Sequence, residues 1–200
     1  AGRAARQGPG VAYRLWEEAG HAGRPEFAPA EIMQADLAPL LLRLAKWGTA
    51  DPASLPWLDP PPEASVVAAR RALVALGALD AGGRITPLGQ AVASLPMAPD
   101  QAAAVLHGAA AGCGEDAARL VMLLQERGLG GRGEDLLQRL ARWRGDRAPR
   151  SSAAAGIARG WAGQAAKLAG VIGTSPAQDA AEALALARPD FVARRRDPSG

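Results

Sequence analysis

Between positions 99 and 187 the chain repeats one theme: alanine- and leucine-rich stretches of helical spacing, cut at short intervals by glycine and proline. Alanine gives up no side-chain entropy on entering a helix. Glycine costs about 1 kcal/mol and proline about 3 kcal/mol inside one, so they mark its ends. The spacing predicts helices over 99–111, 115–127, 134–144, 152–172 and 176–187. Leu120, Val121 and Leu124 form the apolar stripe of the second, and Leu136, Leu137, Leu140 and Trp143 that of the third. Small side chains let helix axes approach closely, which points to a compact bundle. No repeat of constant period runs through the segment, which argues against a solenoid.

The same bias holds along the whole chain, with 48 alanines among 200 residues and only seven Phe and Trp together. Scarce aromatic and β-branched residues disfavour a large sheet, so the fold class expected is mainly α. Upstream of the bundle the pattern changes. Leu37, Leu40, Leu41 and Leu44 fall at i, i+3, i+4, i+7 behind Asp36, a suitable cap, and Gly48 ends that helix. The run Pro60-Pro61-Pro62 is extended, and a second helix from Glu63 carries Val66, Ala69, Leu73 and Leu76 on one side before Gly77. Residues 78–86 hold two very short strands about Gly82-Gly83, and Thr86-Pro87 opens a third helix. Helix, helix, hairpin and helix in this order describe a winged-helix domain over 25–96, followed by a helical bundle over 97–188. Before them, the alternating segment from Val11 to Trp16 follows turn chemistry at Gly8-Pro9-Gly10 and reads as one strand. A lone strand is unstable, so its sheet is expected to lie upstream. With no initiator Met and charged sequence at both ends, the chain reads as an internal piece of a longer protein.

Arginine supplies 21 of the 23 basic residues, a bias that a GC-rich genome also produces. Guanidinium nevertheless suits bidentate phosphate contact. The net charge of +3 excludes a polycation, so any nucleic-acid contact must come from local clusters. The densest is Arg142, Arg144, Arg147 and Arg150; Arg194, Arg195 and Arg196 form another. Both are candidate phosphate contacts, whereas Lys46, Arg70 and Arg71 read first as solvated helix faces. Trp143 and Trp161 sit at helical spacing from apolar neighbours and read as packing rather than base stacking. His107 reads as a partly buried side chain, and Cys113 needs no function. A single cysteine excludes an internal disulfide, no metal site is expected, and no apolar run reaches membrane-spanning length. A cytoplasmic location follows as the expectation.

The chain offers no Walker loop, no Gly-x-Ser-x-Gly and no carboxylate–histidine cluster, so it is not expected to be a self-contained enzyme. Its opening is more informative. Gly2-Arg3-Ala4-Ala5-Arg6, then Pro9-Gly10 and Tyr13-Arg14-Leu15, resembles the last motor motif of DEAH-box helicases, with Ala5 where that family has glycine. The resemblance continues through Ala30-Glu31-Ile32, Asp36-Leu37, Lys46-Trp47-Gly48, Trp57-Leu58-Asp59-Pro60-Pro61, Leu76-Gly77-Ala78-Leu79-Asp80, Arg84-Ile85-Thr86 and Leu95-Pro96-Met97. The two tryptophan motifs, and the arginine run 194–196 after Pro189-Asp190, are most similar to the bacterial HrpB branch.

This resemblance implies an ATP-driven 3′-to-5′ translocase on RNA or another single-stranded nucleic acid. Residues 1–24 would end the second RecA-like motor domain, 189–200 would open an oligonucleotide-binding-type domain, and the bundle would be a ratchet closing over the strand. Gly2, Arg3 and Arg6 would face the nucleotide, with the two arginines as fingers on its γ-phosphate. ATP with Mg2+ would be held mainly by upstream motor domains of the same, monomeric chain. The competing expectation is a non-enzymatic winged-helix nucleic-acid binder or adaptor using the helix that starts at Glu63.

Overall fold

The computed structural model describes residues 7–25, 27–49 and 51–193. Eight α-helices follow one another there: α1 (Ala38–Trp47), α2 (Glu63–Ala75), α3 (Pro87–Val92), α4 (Pro99–Ala110), α5 (Gly114–Gln125), α6 (Leu136–Gly145), α7 (Pro149–Leu168) and α8 (Ala180–Ala187). Most starts have a local cause. The Asp36 carboxylate accepts the Ala38 amide at 2.9 Å ahead of α1, and Thr86, Asp135 and Asp179 cap α3, α6 and α8. Proline opens α3, α4 and α7, where its missing N–H is no loss. Gly48, at φ 96°, turns the chain out of α1 in the left-handed conformation, and its neighbour Thr49 donates back to the Leu44 carbonyl.

The expected wing is smaller than two strands. One antiparallel bridge, Leu79 to Ile85, is the whole of it among the described residues. The reason is the short span between α2 and α3. Asp80 accepts from the Arg84 amide and guanidinium, both at 2.9 Å, and its own amide donates to the Arg84 carbonyl. The Thr86 amide closes the other end on the Ala78 carbonyl at 3.1 Å, and α3 starts at the next residue, so the ladder can run no further. The Arg84 amide and then its guanidinium hold the Asp80 carboxyl below the usual carboxylate range.

The strand expected over residues 11–16 does not form. That segment has no ladder partner among the described residues, and Val11, Tyr13 and Leu15 stand 74, 85 and 92% exposed. Alternation alone cannot make a strand, because strand stability comes from pairing. The sheet component of the expected fold class is therefore absent from the described residues, which leave a winged-helix arrangement and a bundle.

The two parts share one core, continuous from Leu37 through Leu73, Leu79 and Val92 into the bundle and on to Ala187. Its centre is α4, whose residues 102–106 are fully buried between α5, α7 and α8. Alanine sets the spacing there. A Cβ on Gly108 of α4 would stand 2.4 Å from the Ala117 Cβ of α5. Gln164 of α7 donates to the Ser94 carbonyl at 2.8 Å, and Arg188 pairs with Asp100 at 3.1 Å, tying the bundle to the end of α3 and the start of α4. No helix among the described residues is long and apolar enough to cross a membrane.

Candidate nucleic-acid interface

Two surfaces could meet nucleic acid: the outer face of α2 and the arginine-rich junction of α5, α6 and α7. A duplex-reading helix presents donors and acceptors for base edges. The outer face of α2 presents Glu63, Ala64, Val67, Ala68, Arg71, Ala72, Val74 and Ala75. It carries one acid, one base and no amide side chain. Arg70 is drawn inward, with its guanidinium Cζ 3.8 Å from where a Gly83 Cβ would stand. This face is an apolar surface, not a reading head.

The second surface is built by α6. Asp135 caps the helix by accepting the Leu137 and Gln138 amides at 2.9 and 3.0 Å. On the buried side Trp143 is 2% exposed and donates its Nε1–H to the Ser151 carbonyl at 3.1 Å. The Arg119 guanidinium lies 5.6 Å from the centre of its ring. Trp143 is a packing residue, and Trp161 is half-buried against the same core.

Most of the arginine cluster singled out from sequence is engaged within the fold. Arg142 donates to the Gly130 carbonyl at 2.7 Å and to that of Arg132 at 3.1 Å. Arg144 pairs with Asp116 across to α5, and that hydrogen bond raises its pKa. Arg150 reaches both the Glu126 carboxylate and the Arg127 carbonyl at 3.0 Å. Arg147 alone of the four extends into solvent with no bond from its guanidinium among the described residues. The two ion pairs are surface pairs, worth about 0–1 kcal/mol each, so they leave both arginines able to exchange partners. Arg139, which the sequence did not single out, is the most embedded. It donates to the Leu129 carbonyl through two nitrogens at 3.2 Å and to that of Leu123 at 3.4 Å. Gly2, Arg3, Arg6, Arg194, Arg195 and Arg196 lie outside the described residues.

His107 is half-buried, 3.4 Å from the Ser175 hydroxyl, and burial lowers its pKa. Burial likewise raises that of the Cys113 thiol, with Asp179 and Asp116 adding to the effect. Neither side chain joins a constellation, and no group of His, Cys, Asp or Glu among the described residues could hold a metal ion.

Residues 69–97, the end of α2 through the wing and α3, match the family model described as helicase associated domain (HA2), winged-helix. The ATP-dependent RNA helicase HrpB of Escherichia coli is 37% identical over 126 residues, covering 63% of this chain and 16% of its own. The crystal structure of the E. coli DEAH/RHA helicase HrpB superposes on 98% of this chain with a TM-score of 0.69 at 30% identity. The chain thus carries a helicase-associated winged-helix segment, and the proteins it resembles are DEAH-box RNA helicases. The helicase likeness is not confined to bacteria: the pre-mRNA-splicing factor ATP-dependent RNA helicase prp22 of Schizosaccharomyces pombe is 36% identical over 126 residues. The chain spans 11% and 16% of the length of those two relatives and 23% of the HrpB structure.

Proposed function

We propose that this chain works inside an ATP-dependent RNA helicase, as the part that links the second motor domain to a bundle closing over single-stranded RNA or another nucleic acid. The observation that carries the reading is the match to HrpB across 98% of the chain, which takes in the winged-helix part and the bundle alike. In this arrangement residues 1–24 end the motor domain, 25–96 form the winged helix, 97–188 the ratchet-like bundle and 189–200 the start of an oligonucleotide-binding-type domain. The exposed alternation of Val11, Tyr13 and Leu15 suits pairing with a motor-domain sheet.

Phosphoryl transfer is catalysed chiefly by positioning and by spreading positive charge over the transferring oxygens. Arg3 and Arg6, beside Gly2, would supply that charge to a nucleotide and Mg2+ gripped by the upstream motor domains. The chain would have no hydrolytic activity alone, and the whole protein would act as a cytoplasmic monomer. A free-standing winged-helix reader is the weaker alternative, because the outer face of α2 carries almost nothing that can read a base edge.

The test is RNA-stimulated ATP hydrolysis by the full-length protein. Arg3→Ala and Arg6→Ala should each lower turnover by about 10³-fold or more, within the range known for finger arginines, while leaving the circular dichroism spectrum unchanged. Turnover at the unsubstituted rate in both variants would remove the finger assignment.

A further inference from the structure

The connection from α5 to α6 is a glycine-rich loop in which Gly128, Gly130, Gly131 and Gly133 all have positive φ, from 66 to 125°. It is not loosely draped. A Cβ on Gly130 would stand 2.1 Å from the Arg139 carbonyl oxygen, so the loop lies directly on α6. Arg139 and Arg142 hold it there by its carbonyls: those of Leu129, Gly130 and Arg132 all accept from guanidinium groups.

Two consequences follow. With the carbonyls turned to the arginines, the amides of Arg132 and Gly133 make no hydrogen bond to another group among the described residues, and Gly131, Arg132 and Gly133 are exposed. Successive unpaired amides in left-handed and turn conformations form an anion-binding concavity. The charge points the same way. Neither Arg139 nor Arg142 has a carboxylate partner among the described residues, and neither do Arg127 and Arg132 on the loop itself. Of the neighbouring acids, Glu126 is taken by Arg150 and Asp135 by the α6 cap, which leaves Glu134. Arg127, Gly131, Arg132, Gly133 and Arg139 line an open cleft of about 660 Å³, with Leu124 and Leu136 as its apolar wall and Glu134 as its one acid against three arginines.

We infer that this cleft is an oxyanion site that takes a phosphodiester of single-stranded nucleic acid, with the loop amides and the Arg127 and Arg132 guanidiniums as its donors. The inference rests on the helicase reading for its choice of nucleic acid as the source of the phosphate. The apolar wall suits the sugar and base of one unpaired nucleotide.

The experiment uses the 200-residue chain and a short oligouridylate, without ATP, so that it is independent of the finger assignment. Binding is measured by fluorescence anisotropy across a salt series. Arg127→Ala/Arg132→Ala removes two exposed side chains that hold nothing in the fold. It should weaken binding about tenfold and lower the slope of log affinity against log salt by about 0.7 per lost contact. Arg43→Ala, which removes an exposed charge from α1, should do neither. In amide NMR spectra the oligouridylate should move the Gly131, Arg132 and Gly133 signals most. Unchanged affinity and slope in the double variant, an equal loss from Arg43→Ala, or loop signals that answer inorganic phosphate but not the oligonucleotide would each overturn the proposal.

Discussion

Gly89 stands in α3 where ordinary helix propensity and local geometry give opposite answers. In an open helix interior, replacing glycine by alanine stabilises by about 0.5–1 kcal/mol. Here a Cβ would stand 2.0 Å from the Ala78 carbonyl oxygen and 2.9 Å from Cγ1 of Ile85. Nor can the backbone retreat, because Thr86 fixes it: its hydroxyl donates to the Gly77 carbonyl at 2.6 Å and accepts the Gly89 amide at 3.0 Å. Overpacking of a well-filled site costs about 1–3 kcal/mol, so the clash outweighs the propensity gain. Gly89→Ala should lower the urea midpoint. Gly160, exposed on α7 with nothing within 4 Å, is the internal control, and Gly160→Ala should raise it. The reverse order of midpoints would show that α3 does not seat against the turn after α2 as described.

At the scale of the element, α6 depends on its loop as much as the loop depends on α6. Arg139→Met keeps the apolar stem but removes the donors to the Leu123 and Leu129 carbonyls. Leaving such acceptors unpaired costs about 1–3 kcal/mol. Tryptic cleavage after Arg127 and Arg132 should therefore quicken several-fold, and an unchanged cleavage rate would count against the clamp. The dependence also explains what could be read in advance. Apolar periodicity is local, and it located α1, α2, α4, α5 and α6 to within a few residues. Helix ends were less legible: α7 begins at Pro149, not at 152, and α8 begins behind the Asp179 cap, not at 176. The engagement of the arginines was not legible at all. Sequence displays a guanidinium's charge, but its acceptors here are backbone carbonyls 10 to 16 residues away, at the end of α5 and on a glycine loop whose path no side chain announces.

Taken whole, the described residues share one apolar interior in which the winged-helix part and the bundle meet at α4. A shared interior couples the stabilities of the two parts, so a single cooperative transition is expected here even though two-part chains of 200 residues often unfold in steps. Urea unfolding followed by circular dichroism, and by tryptophan fluorescence from Trp57, Trp143 and Trp161, should give coincident curves; two separated transitions would show that the parts fold independently. Segments that end unpaired, above all residues 11–16, would contribute little to that transition. The close crossing of α4 and α5, where Gly108 meets Ala117, has one more effect. At that crossing no long, rotatable side chain lies between the two helices to absorb shear. Force applied at one end of such a block would be passed on as rotation of the entire body, giving the bundle the stiffness of a lever arm.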